Sequence, residues 1–582
     1  MLSESFIKIL DVDLTTGKVR VSRREDLFSY LGGAGLGTAL LRENVHPELD
    51  ALDPAQPIVF AIGPLSTIFP AVTKAVAMFK SPLNNELGES HAGGRLALAM
   101  RYAGYDALVI RGRAQRPVYL YIDSNQVLLK RADTLWGMEA EEAGRVMRTI
   151  EPGRGHRSIM RIGPAGERMV RYALVNCETY RHFGRLGLGA VFGSKLLKGV
   201  YISGDCDIHI PDVKGYNRIY TDIFRRVVET DAMQKYHDLG TPSNVMGLHE
   251  IGALPTRNLQ SGRFEGAAAI SGEAFAEHEL MRKVACSGCP IGCIHIALLR
   301  EQFGDDHEYS WAGISYDYEL VYSLGSLLGI ADRNGILRLL EKVAQMGLDA
   351  IATGVTLAWA TEAAGRGLID TRELGTALAF GDADRYLLAI DAIVEGQSEL
   401  ARQLALGAPM AAQHYGGGDF VLALGGNPVA GYHTGYANLL GQLIGARHSH
   451  VDNAGYSMDQ KPRELSDEQI VDGLIAEEEE RNALNSLAIC MFARKVYDRP
   501  TVLAALNAIG IPWTEEQWEA LGKRIYREKA ALKESLGFDY RALKAPARFF
   551  ETPTPRGKLQ PERLERLLTL FNERLDAMKV SA

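Results

Sequence analysis

Three cysteines lie within eight positions of one another, at Cys286, Cys289 and Cys293 in the segment VACSGCPIGCIHI. Three thiolates on one short loop can converge on a metal centre. The glycines at 288 and 292 remove steric limits, so backbone N–H groups can turn toward sulfur. A fourth ligand must then come from a distant part of the chain. The spacing therefore favours an iron–sulfur cluster.

Structural zinc is the main alternative reading of this loop. Zinc sites usually pair two Cys-x2-Cys motifs or add histidines at set spacing, and His295 is the only nearby histidine on this loop. We expect the His295 side chain to pack beside the metal centre rather than bind the metal. A radical-SAM cluster is disfavoured because its Cys-x3-Cys-x2-Cys order is the reverse of the order here. Zinc and chance clustering stay open at this point.

An iron–sulfur cluster implies electron transfer. Such a cluster passes one electron at a time, whereas most organic redox reactions move two, so a second redox centre is expected nearby. The glycine run GRLGLGAVFG at 184–193 lacks the G-x-G-x-x-G spacing and a clear βα context, which argues against a dinucleotide site. No flavin fingerprint stands out either.

The chain has 582 residues, too many for one hydrophobic core, and we expect about three domains. We place a β-rich domain at 1–208, a helical domain with the cysteine loop at 209–412, and a helical C-terminal domain at 413–582. The net charge of −8 and the lack of a basic stretch argue against nucleic acid. No apolar run is long enough to span a bilayer and no export signal is visible, so we expect a cytoplasmic enzyme with small substrates.

Several local patterns predict individual elements. The N-terminus alternates apolar and polar residues around a Thr-Thr-Gly turn, which predicts a β-hairpin. Residues 332–349 predict a helix that Asp332 caps and Gly347 ends. Strands are expected at 58–62, 106–112 and 117–123, helices across 354–402, a solvated helical face at 477–481, and buried apolar roles for Cys177 and Cys206.

Motifs spread along nearly the whole chain resemble those of the aldehyde:ferredoxin oxidoreductase family, in the family's order. They are YLGGAGLG at 30–37, KSPLNNELGESHAGG at 80–94, AGYDALVIRG at 103–112, IGPAGE at 162–167, RHFGRLGLGAVFGSKLLK at 181–198, the cysteine loop, YELVYSLGSLLGI at 318–330 and GLDAIATG at 347–354. The extreme C-terminus resembles the family least.

The resemblance implies an α+β fold. An N-terminal two-sheet β domain forms the base for a bis-pterin tungsten cofactor (tungstopterin), and two mainly α-helical domains follow it. Molybdenum is the alternative metal, since no side chain binds the metal. One [4Fe–4S] cluster is implied close by, with Cys286, Cys289, Cys293 and the distant Cys490 as ligands.

This chain matches the family's pterin-binding motifs only in part. The implied pterin contacts fall on Lys74, His91, Gly93, Arg181, His182, Gly184, Arg185, Leu348, Asp349, Asn485 and Ile489. Lys74 replaces an arginine and loses its bidentate fork. One pterin motif lacks its leading carboxylate at Ala344, and the other has Ala488 in place of glycine. In the family a Mg²⁺ ion bridges the two pterin phosphates and is bound by backbone carbonyls, and the resemblance places those carbonyls at His91 and His182.

The family's acid–base pair is implied at Glu319 and a histidine. His448 is the first choice and His450 the second. A buried carboxylate with a raised pKa can take a proton from attacking water, and neutral histidine can hydrogen-bond the substrate oxygen. The stretch before Glu319 is longer than usual, which predicts a loop insertion around 301–312.

The implied activity is aldehyde oxidation to carboxylic acid, reversible with a low-potential donor. Electrons would leave through the cluster to a ferredoxin or a ferredoxin-like iron–sulfur subunit, with a flavoprotein that reaches NAD in bacterial-type members. Two alternatives are a relative that acts on an aromatic thioester and a non-catalytic iron–sulfur electron-transfer subunit. The aldehyde's size and the oligomeric state are left open.

Overall fold

The computed structural model of the chain describes residues 5–580, except residues 152, 154, 231 and 232. Within these residues, the N-terminal part contains two six-stranded mixed β-sheets, and the remainder is mainly helical. The predicted α+β class is therefore confirmed.

The first sheet begins with the predicted N-terminal hairpin. β1 (Ile7–Asp13) pairs antiparallel with β2 (Lys18–Arg24), and the Asp13 carboxylate accepts the backbone N–H of Thr15 at the turn, 2.8 Å away. The strand order is β2-β1-β6-β3-β4-β5, with β3 at Ile58–Ala61, β4 at Ala75–Lys80, β5 at Leu87–Ala92 and β6 at Ala107–Arg111. β1 and β6 run parallel, and the other neighbours run antiparallel. The strands expected at 58–62 and 106–112 are confirmed as β3 and β6.

The second sheet has the order β11-β10-β9-β12-β7-β8. Its strands are β7 (Val118–Ile122), β8 (Val127–Arg131), β9 (His156–Arg161), β10 (Val175–Cys177), β11 (Arg181–Phe183) and β12 (Leu197–Gly204). β7 confirms the strand expected at 117–123. β12 is buried along its whole length, which suits a central strand covered on both faces.

The two sheets meet at one edge of each. β5 is the edge strand of the first sheet, β11 is the edge strand of the second, and the two contact one another. The ring of Phe60 in β3 packs 5.3 Å from that of Phe183 in β11, which ties the sheets through a shared apolar core. This junction holds His91 on β5 and His182 on β11.

Helices flank the sheets and then make up most of the chain. Those in the N-terminal part are Gly33–Asn44, Leu96–Ala103, Ala140–Ile150, Pro164–Glu167 and Leu188–Ser194. Those that follow are Val213–Glu229, Asn244–Ile251, Gly272–His278, Tyr318–Leu324, Arg333–Met346, Ala350–Gly365, Ala383–Glu395, Glu399–Leu404, Ala408–Tyr415, Tyr436–Ile444, His450–Asn453, Gly455–Asp459, Asp467–Ser486, Arg499–Ala508, Glu515–Ser535, Arg548–Glu551 and Pro561–Val580, with a π-helix at Gln234–Leu239. The predicted helices across 354–402 are confirmed.

The helix Arg333–Met346 has the predicted ends. The Asp332 carboxylate accepts the backbone N–H groups of Asn334 and Gly335, which would otherwise lack partners at a helix N-terminus. Gly347 ends the helix in the left-handed conformation, with φ of 76°.

Two smaller predictions are wrong in part. In the acidic run 477–481, Glu478 and Arg481 are buried rather than solvated. Glu478 accepts the backbone N–H of Ala446, so it connects two elements instead of facing water. Cys177 is buried as expected, but Cys206 is only half-buried.

The segment 301–312 belongs to a β-hairpin rather than a loop. β14 (Ile294–Gly304) pairs antiparallel with β15 (Glu308–Tyr316), and β13 (Leu280–Val284) completes a three-stranded sheet. The cysteine loop connects β13 to β14, so this sheet holds the ends of the loop in place. A short pair of strands, β16 (Ala423–Leu424) and β17 (Asn427–Pro428), lies further along the chain.

The largest apolar core spans both helical segments, with Trp359, Leu443 and Leu567 as members. The last strand of the sheets ends at Gly204 and the next helix begins at Val213. The domain limits at 208 and 412 stay predictions. In the part of the chain that the structure describes, no helix has both the length and the apolar character to cross a bilayer.

Candidate active site

A cavity of about 690 Å³ lies where β5 and β11 meet, and residues of the helical part also line it. A smaller cavity of about 260 Å³ adjoins it and shares part of this lining. The two cavities share polar lining residues from both sheets and from the helical part: Lys74, His91, Arg181, His182, Gly184, Arg185, Asp317 and Glu319. Sites at the junction of structural units are typical for cofactors.

The structure brings nearly all of the predicted site residues to these cavities. The larger cavity adds Cys286, Cys289, Cys293, Cys490, Asn485, Ile489 and His450 to the shared set. The smaller cavity adds Gly93, Leu348 and Asp349. His448 lines neither of them.

The distant cysteine reaches the cysteine loop through one residue of the N-terminal part. The backbone N–H of Ala71 donates to the carbonyl of Gly288, and the Ala71 carbonyl accepts the N–H of Cys490, both at 3.1 Å. Gly288 and Gly292 have φ of 74° and 60°, the left-handed conformation that glycine adopts without strain. Both glycines thus use the conformational freedom expected of them, and the turn of backbone N–H groups toward sulfur stays a prediction.

The thiols of the loop sit in a setting that disfavours their free ionised form. Burial, and after it the negative charge of Cys490, raises the pKa of Cys289 to about 12 and that of Cys293 to about 11. The positive charges of Arg181 and Lys74 act in the opposite sense on Cys293. Buried, neighbouring thiols of this kind lose their protons and become thiolates when a metal binds them. Among the described residues, no three His, Cys, Asp or Glu side chains surround a single-ion position.

Gly93 permits a close approach between the β domain and the loop. A Cβ atom at Gly93 would lie 2.7 Å from Cys286 Sγ and 3.5 Å from Lys74 Nζ. The backbone N–H of Ser287 donates to the Gly94 carbonyl at 3.0 Å. A group that rests on the end of β5 would therefore lie against Cys286.

Several buried polar atoms of the cavities have no hydrogen-bond partner among the described residues, including Arg181 Nε, His182 Nε2 and His450 Nδ1. Burial lowers the pKa of His91 to about 4 and that of His182 to about 3, so both rings are neutral at pH 7. Buried polar atoms without partners, the Arg181 guanidinium among them, suit a polar, anionic ligand such as a pterin phosphate.

Arg185 and Asp349 form a buried pair beside the smaller cavity, with Arg185 Nε 2.9 Å from Asp349 Oδ2. The other oxygen of Asp349 accepts the backbone N–H of Ile351 and caps the helix Ala350–Gly365. Arg185 also donates to Asn427 Oδ1 at 2.5 Å. The pair fixes a carboxylate and a guanidinium at the site where the resemblance implies pterin contacts.

Glu319 lies between two partners in the larger cavity. Tyr432 Oη donates to Glu319 Oε1 at 2.8 Å, and His450 Nε2 lies 3.3 Å from the same oxygen. Burial raises the pKa of Glu319. The opposing effects are larger: the hydrogen bond and charge of His450, and the hydrogen bond from Tyr432, bring the pKa of Glu319 below its ordinary value. The expectation of a raised pKa at Glu319 is therefore wrong.

The neighbouring Asp317 has the raised pKa instead. Burial, and then the negative charge of Glu319, raises the pKa of Asp317 to about 7. Its side chain caps the helix Tyr318–Leu324 by accepting the N–H of Leu320. Two half-buried carboxyl groups of one cavity whose pKa values are shifted in opposite directions suit acid–base chemistry.

His448 is occupied elsewhere, so the choice of this histidine is corrected. Its Nε2 lies 3.0 Å from Glu86 Oε2 and 2.7 Å from Lys533 Nζ, and its Nδ1 lies 3.1 Å from the Gln442 carbonyl. The ring is 1% exposed. The structure brings the second choice, His450, to Glu319.

Tyr432 and Asp317 are site residues that the sequence reasoning missed. Asp317 stands two positions before Glu319, so a local signal for it existed in the segment YDYE. Tyr432 reaches Glu319 from more than a hundred positions away, and nothing in its own segment marks that contact.

Comparisons with known proteins identify relatives along nearly the whole chain. A family model described as the N-terminal domain of aldehyde ferredoxin oxidoreductase matches residues 9–204, and one described as domains 2 and 3 matches residues 218–577. The tungsten-containing aldehyde ferredoxin oxidoreductase of Pyrococcus furiosus is 30% identical over 94% of this chain and 92% of its own length. The one of Pyrococcus abyssi is 31% identical with the same coverage.

More distant likenesses include proteins with other substrates. The WOR-like subunit of an aliphatic sulfonate oxidoreductase of Pyrococcus furiosus is 31% identical over 67% of this chain and 64% of its own length. Among solved structures, the active-site complex BamBC of benzoyl-coenzyme A reductase is similar with a TM-score of 0.83. It is 20% identical and covers 98% of this chain and 94% of that chain. At that identity the likeness shows the fold.

Proposed function

Since this chain belongs to the aldehyde ferredoxin oxidoreductase family and is an oxidoreductase of that type, we propose that it oxidises aldehydes to carboxylic acids. The reaction runs in reverse, as acid reduction, when a low-potential donor supplies electrons. The observation that carries the proposal is the pairing of Glu319 with His450 in the same cavity as four cysteines.

The residues of the two cavities fit the group that the family's tungsten-containing members carry. The fit rests on the unpartnered polar atoms of the lining and on the close approach at Gly93. The pterin part is held by Lys74, His91, Gly93, Arg181, His182, Gly184, Arg185, Leu348, Asp349, Asn485 and Ile489. The cluster is held by Cys286, Cys289, Cys293 and Cys490, and Mg²⁺ by the carbonyls of His91 and His182. When bound, the tungsten–pterin centre supplies a two-electron redox step and the cluster supplies single-electron transfer.

The protein's own residues manage substrate and protons. With His450 Nε2–H donated to Glu319, Nδ1 on the other side of the ring is left to hydrogen-bond water or a hydrated aldehyde. Glu319, ionised at neutral pH and held by Tyr432, accepts the proton of the water that adds to the carbonyl. Asp317, with a pKa of about 7, can pass a proton onward. The balance is RCHO + H2O → RCOO⁻ + 3H⁺ + 2e⁻.

The electrons leave one at a time to a protein partner. We propose a ferredoxin or a ferredoxin-like iron–sulfur subunit, with a flavoprotein subunit in a bacterial-type assembly. Gly288 in the cysteine loop is exposed, which gives a partner access to the cluster end of the cavity. We also propose a cytoplasmic location, where reducing conditions would keep the cluster cysteines from forming disulfides.

The test is metal analysis and turnover of the purified holoenzyme. We expect about one tungsten or molybdenum and about four irons per chain, as for one cubane cluster. Aldehyde oxidation with a viologen acceptor should accompany that metal content. A loaded enzyme that reduces an aromatic thioester and leaves aldehydes unchanged would favour the thioester alternative. Iron without tungsten or molybdenum would favour an electron-transfer subunit, and zinc alone would reject both.

A further inference from the structure

Two cations line the accessible side of the larger cavity. Lys235 lies in the π-helix Gln234–Leu239 and is exposed, and Arg494 follows the turn that carries Cys490. Other exposed lining residues, Gly247, Ser457 and Gln460, mark the same side as the route in from solvent. π-Helical turns are frequent at functional sites, and this one contributes Lys235 to the cavity lining.

Among the described residues, no carboxylate neutralises these two cations; the same holds for Lys74 and Arg181, but those two line both cavities and already belong to the proposed pterin contacts. Arg185, Arg447 and Arg481 form ion pairs at 2.9, 2.5 and 2.8 Å with an aspartate or a glutamate. Within the described residues, neither Lys235 nor Arg494 has a carboxylate within 4.0 Å. The Arg494 guanidinium donates to the Met491 carbonyl at 2.7 Å, which positions it and leaves its charge uncompensated.

The neighbouring surface is aromatic. The rings of Tyr236 and Phe492 stack with centroids 3.8 Å apart and planes 7° apart, and both line the cavity. Tyr456 stacks on Tyr432 at 4.5 Å, and Tyr432 is the donor to Glu319. Aromatic walls therefore lie on the same side of the cavity as the two cations and continue toward the proposed acid–base pair.

The field at this rim is positive. Apart from burial, the largest influence on the pKa of Lys235 is the positive charge of Arg494, which lowers it, and Lys495 acts in the same sense. Glu319 is the carboxylate that acts in the opposite sense. An anion that enters along the rim would meet two unpaired cations before it reaches Glu319.

We propose that Lys235 and Arg494 bind the carboxylate of monocarboxylic acids with an aromatic or apolar body, and so set the enzyme's preference for acid substrates. This inference rests on the proposed function. The two cations attract the carboxylate, and the aromatic side chains contact the apolar body of the acid. A neutral aldehyde carries no charge for the cations to attract, so it is bound by the aromatic contacts alone. The same residues retain the carboxylate product of aldehyde oxidation and make it a competitive inhibitor.

The test uses the metal-loaded enzyme with Lys235→Gln and Arg494→Gln variants and benzoate as the probe. KM for benzoate in viologen-driven reduction is compared with KM for benzaldehyde in oxidation. We expect each variant to raise the ratio of the two KM values about fivefold, the size expected for one screened charge interaction. Raising the salt concentration should weaken benzoate binding in the wild type and have less effect in the variants.

Controls separate a local effect from a general one. Lys495→Gln removes a neighbouring charge that does not line the cavity and should change the ratio less than Lys235→Gln does. Lys235→Arg should restore it, and iron content should match the wild type throughout. An unchanged ratio in both glutamine variants, or an equal effect of Lys495→Gln, would overturn the proposal. A wild-type enzyme that turns over neither benzaldehyde nor benzoate would instead contradict the proposed function.

Discussion

His450 Nε2 lies 3.3 Å from Glu319 Oε1, and this contact joins the start of the helix His450–Asn453 to the helix Tyr318–Leu324. Ser449 caps the first of these helices and Asp317 caps the second, so each side chain projects from a fixed turn. The pair is therefore positioned by helix ends rather than by mobile loops.

Glu319→Gln should abolish most aldehyde oxidation. The amide cannot take a proton from water, and loss of a general base typically costs about 100-fold or more in rate. We expect that fall in kcat with unchanged iron content. Glu250→Gln, on the exposed side of the helix Asn244–Ile251, is the matched control and should keep wild-type kcat. Near-normal turnover by Glu319→Gln would remove the glutamate from the mechanism.

The two histidines should respond differently to replacement. His450→Asn should lower kcat about 10- to 100-fold, with little change in thermal stability. His448→Gln disturbs the buried contacts to Glu86 and Lys533, so it should destabilise the fold by about 1–3 kcal/mol while keeping most of its kcat. Thermal denaturation and steady-state kinetics on both variants measure this difference. The reverse pattern would restore His448 as the acid–base histidine.

Cys490→Ser should remove the cluster. Serine is a poor ligand for iron, and the other three thiols would leave one iron without its protein ligand. We expect loss of the cluster's absorption and EPR signals and of dye-linked activity. Cys206→Ser, at a half-buried cysteine remote from the loop in sequence, is the control and should keep full iron content. An intact cluster in Cys490→Ser would show that another residue supplies the fourth ligand.

Gly93→Ala should loosen the contact between the β domain and the cysteine loop. The new methyl carbon would lie 2.7 Å from Cys286 Sγ, closer than carbon and sulfur can pack, so the loop must shift. Reduced iron content and faster loss of the cluster in air are expected. Gly365→Ala adds the same atom where nothing lies within 4 Å and should leave both unchanged.

Tyr432→Phe should move the acid limb of the pH profile. The Tyr432 hydroxyl stabilises the ionised form of Glu319 and so lowers its pKa, and its removal should raise that pKa. Because one hydrogen bond is worth about 1 kcal/mol, the limb in kcat/KM should shift to higher pH by about one unit. Activity is then lost earlier on acidification. A limb that moves to lower pH would contradict this assignment of Glu319.

Local patterns predicted the regular elements well. The helix that Asp332 caps and Gly347 ends, and the hairpin at the N-terminus, depend on neighbours within a few positions, so the sequence alone contains their causes. The cysteine loop was predicted for the same reason.

Long-range contacts were harder to predict. His448 and His450 stand two positions apart, and only the tertiary packing of Glu86 and Lys533 determines which of them faces the cavity. The pKa of Glu319 depends on Tyr432, and the burial of Glu478 depends on Ala446. Periodicity in a single sequence carries no information about such partners.

The position of Ala71 sets an order for maturation. Its N–H and carbonyl connect Gly288 to Cys490, so the proposed cluster site draws on three separate stretches of the polypeptide, two with cysteines and one that joins them. A ribosome must release nearly the whole chain before those stretches can meet. With the proposed ligand set, iron–sulfur loading can therefore be completed only after Cys490 has emerged, and the nascent chain must keep its three earlier thiols reduced until then.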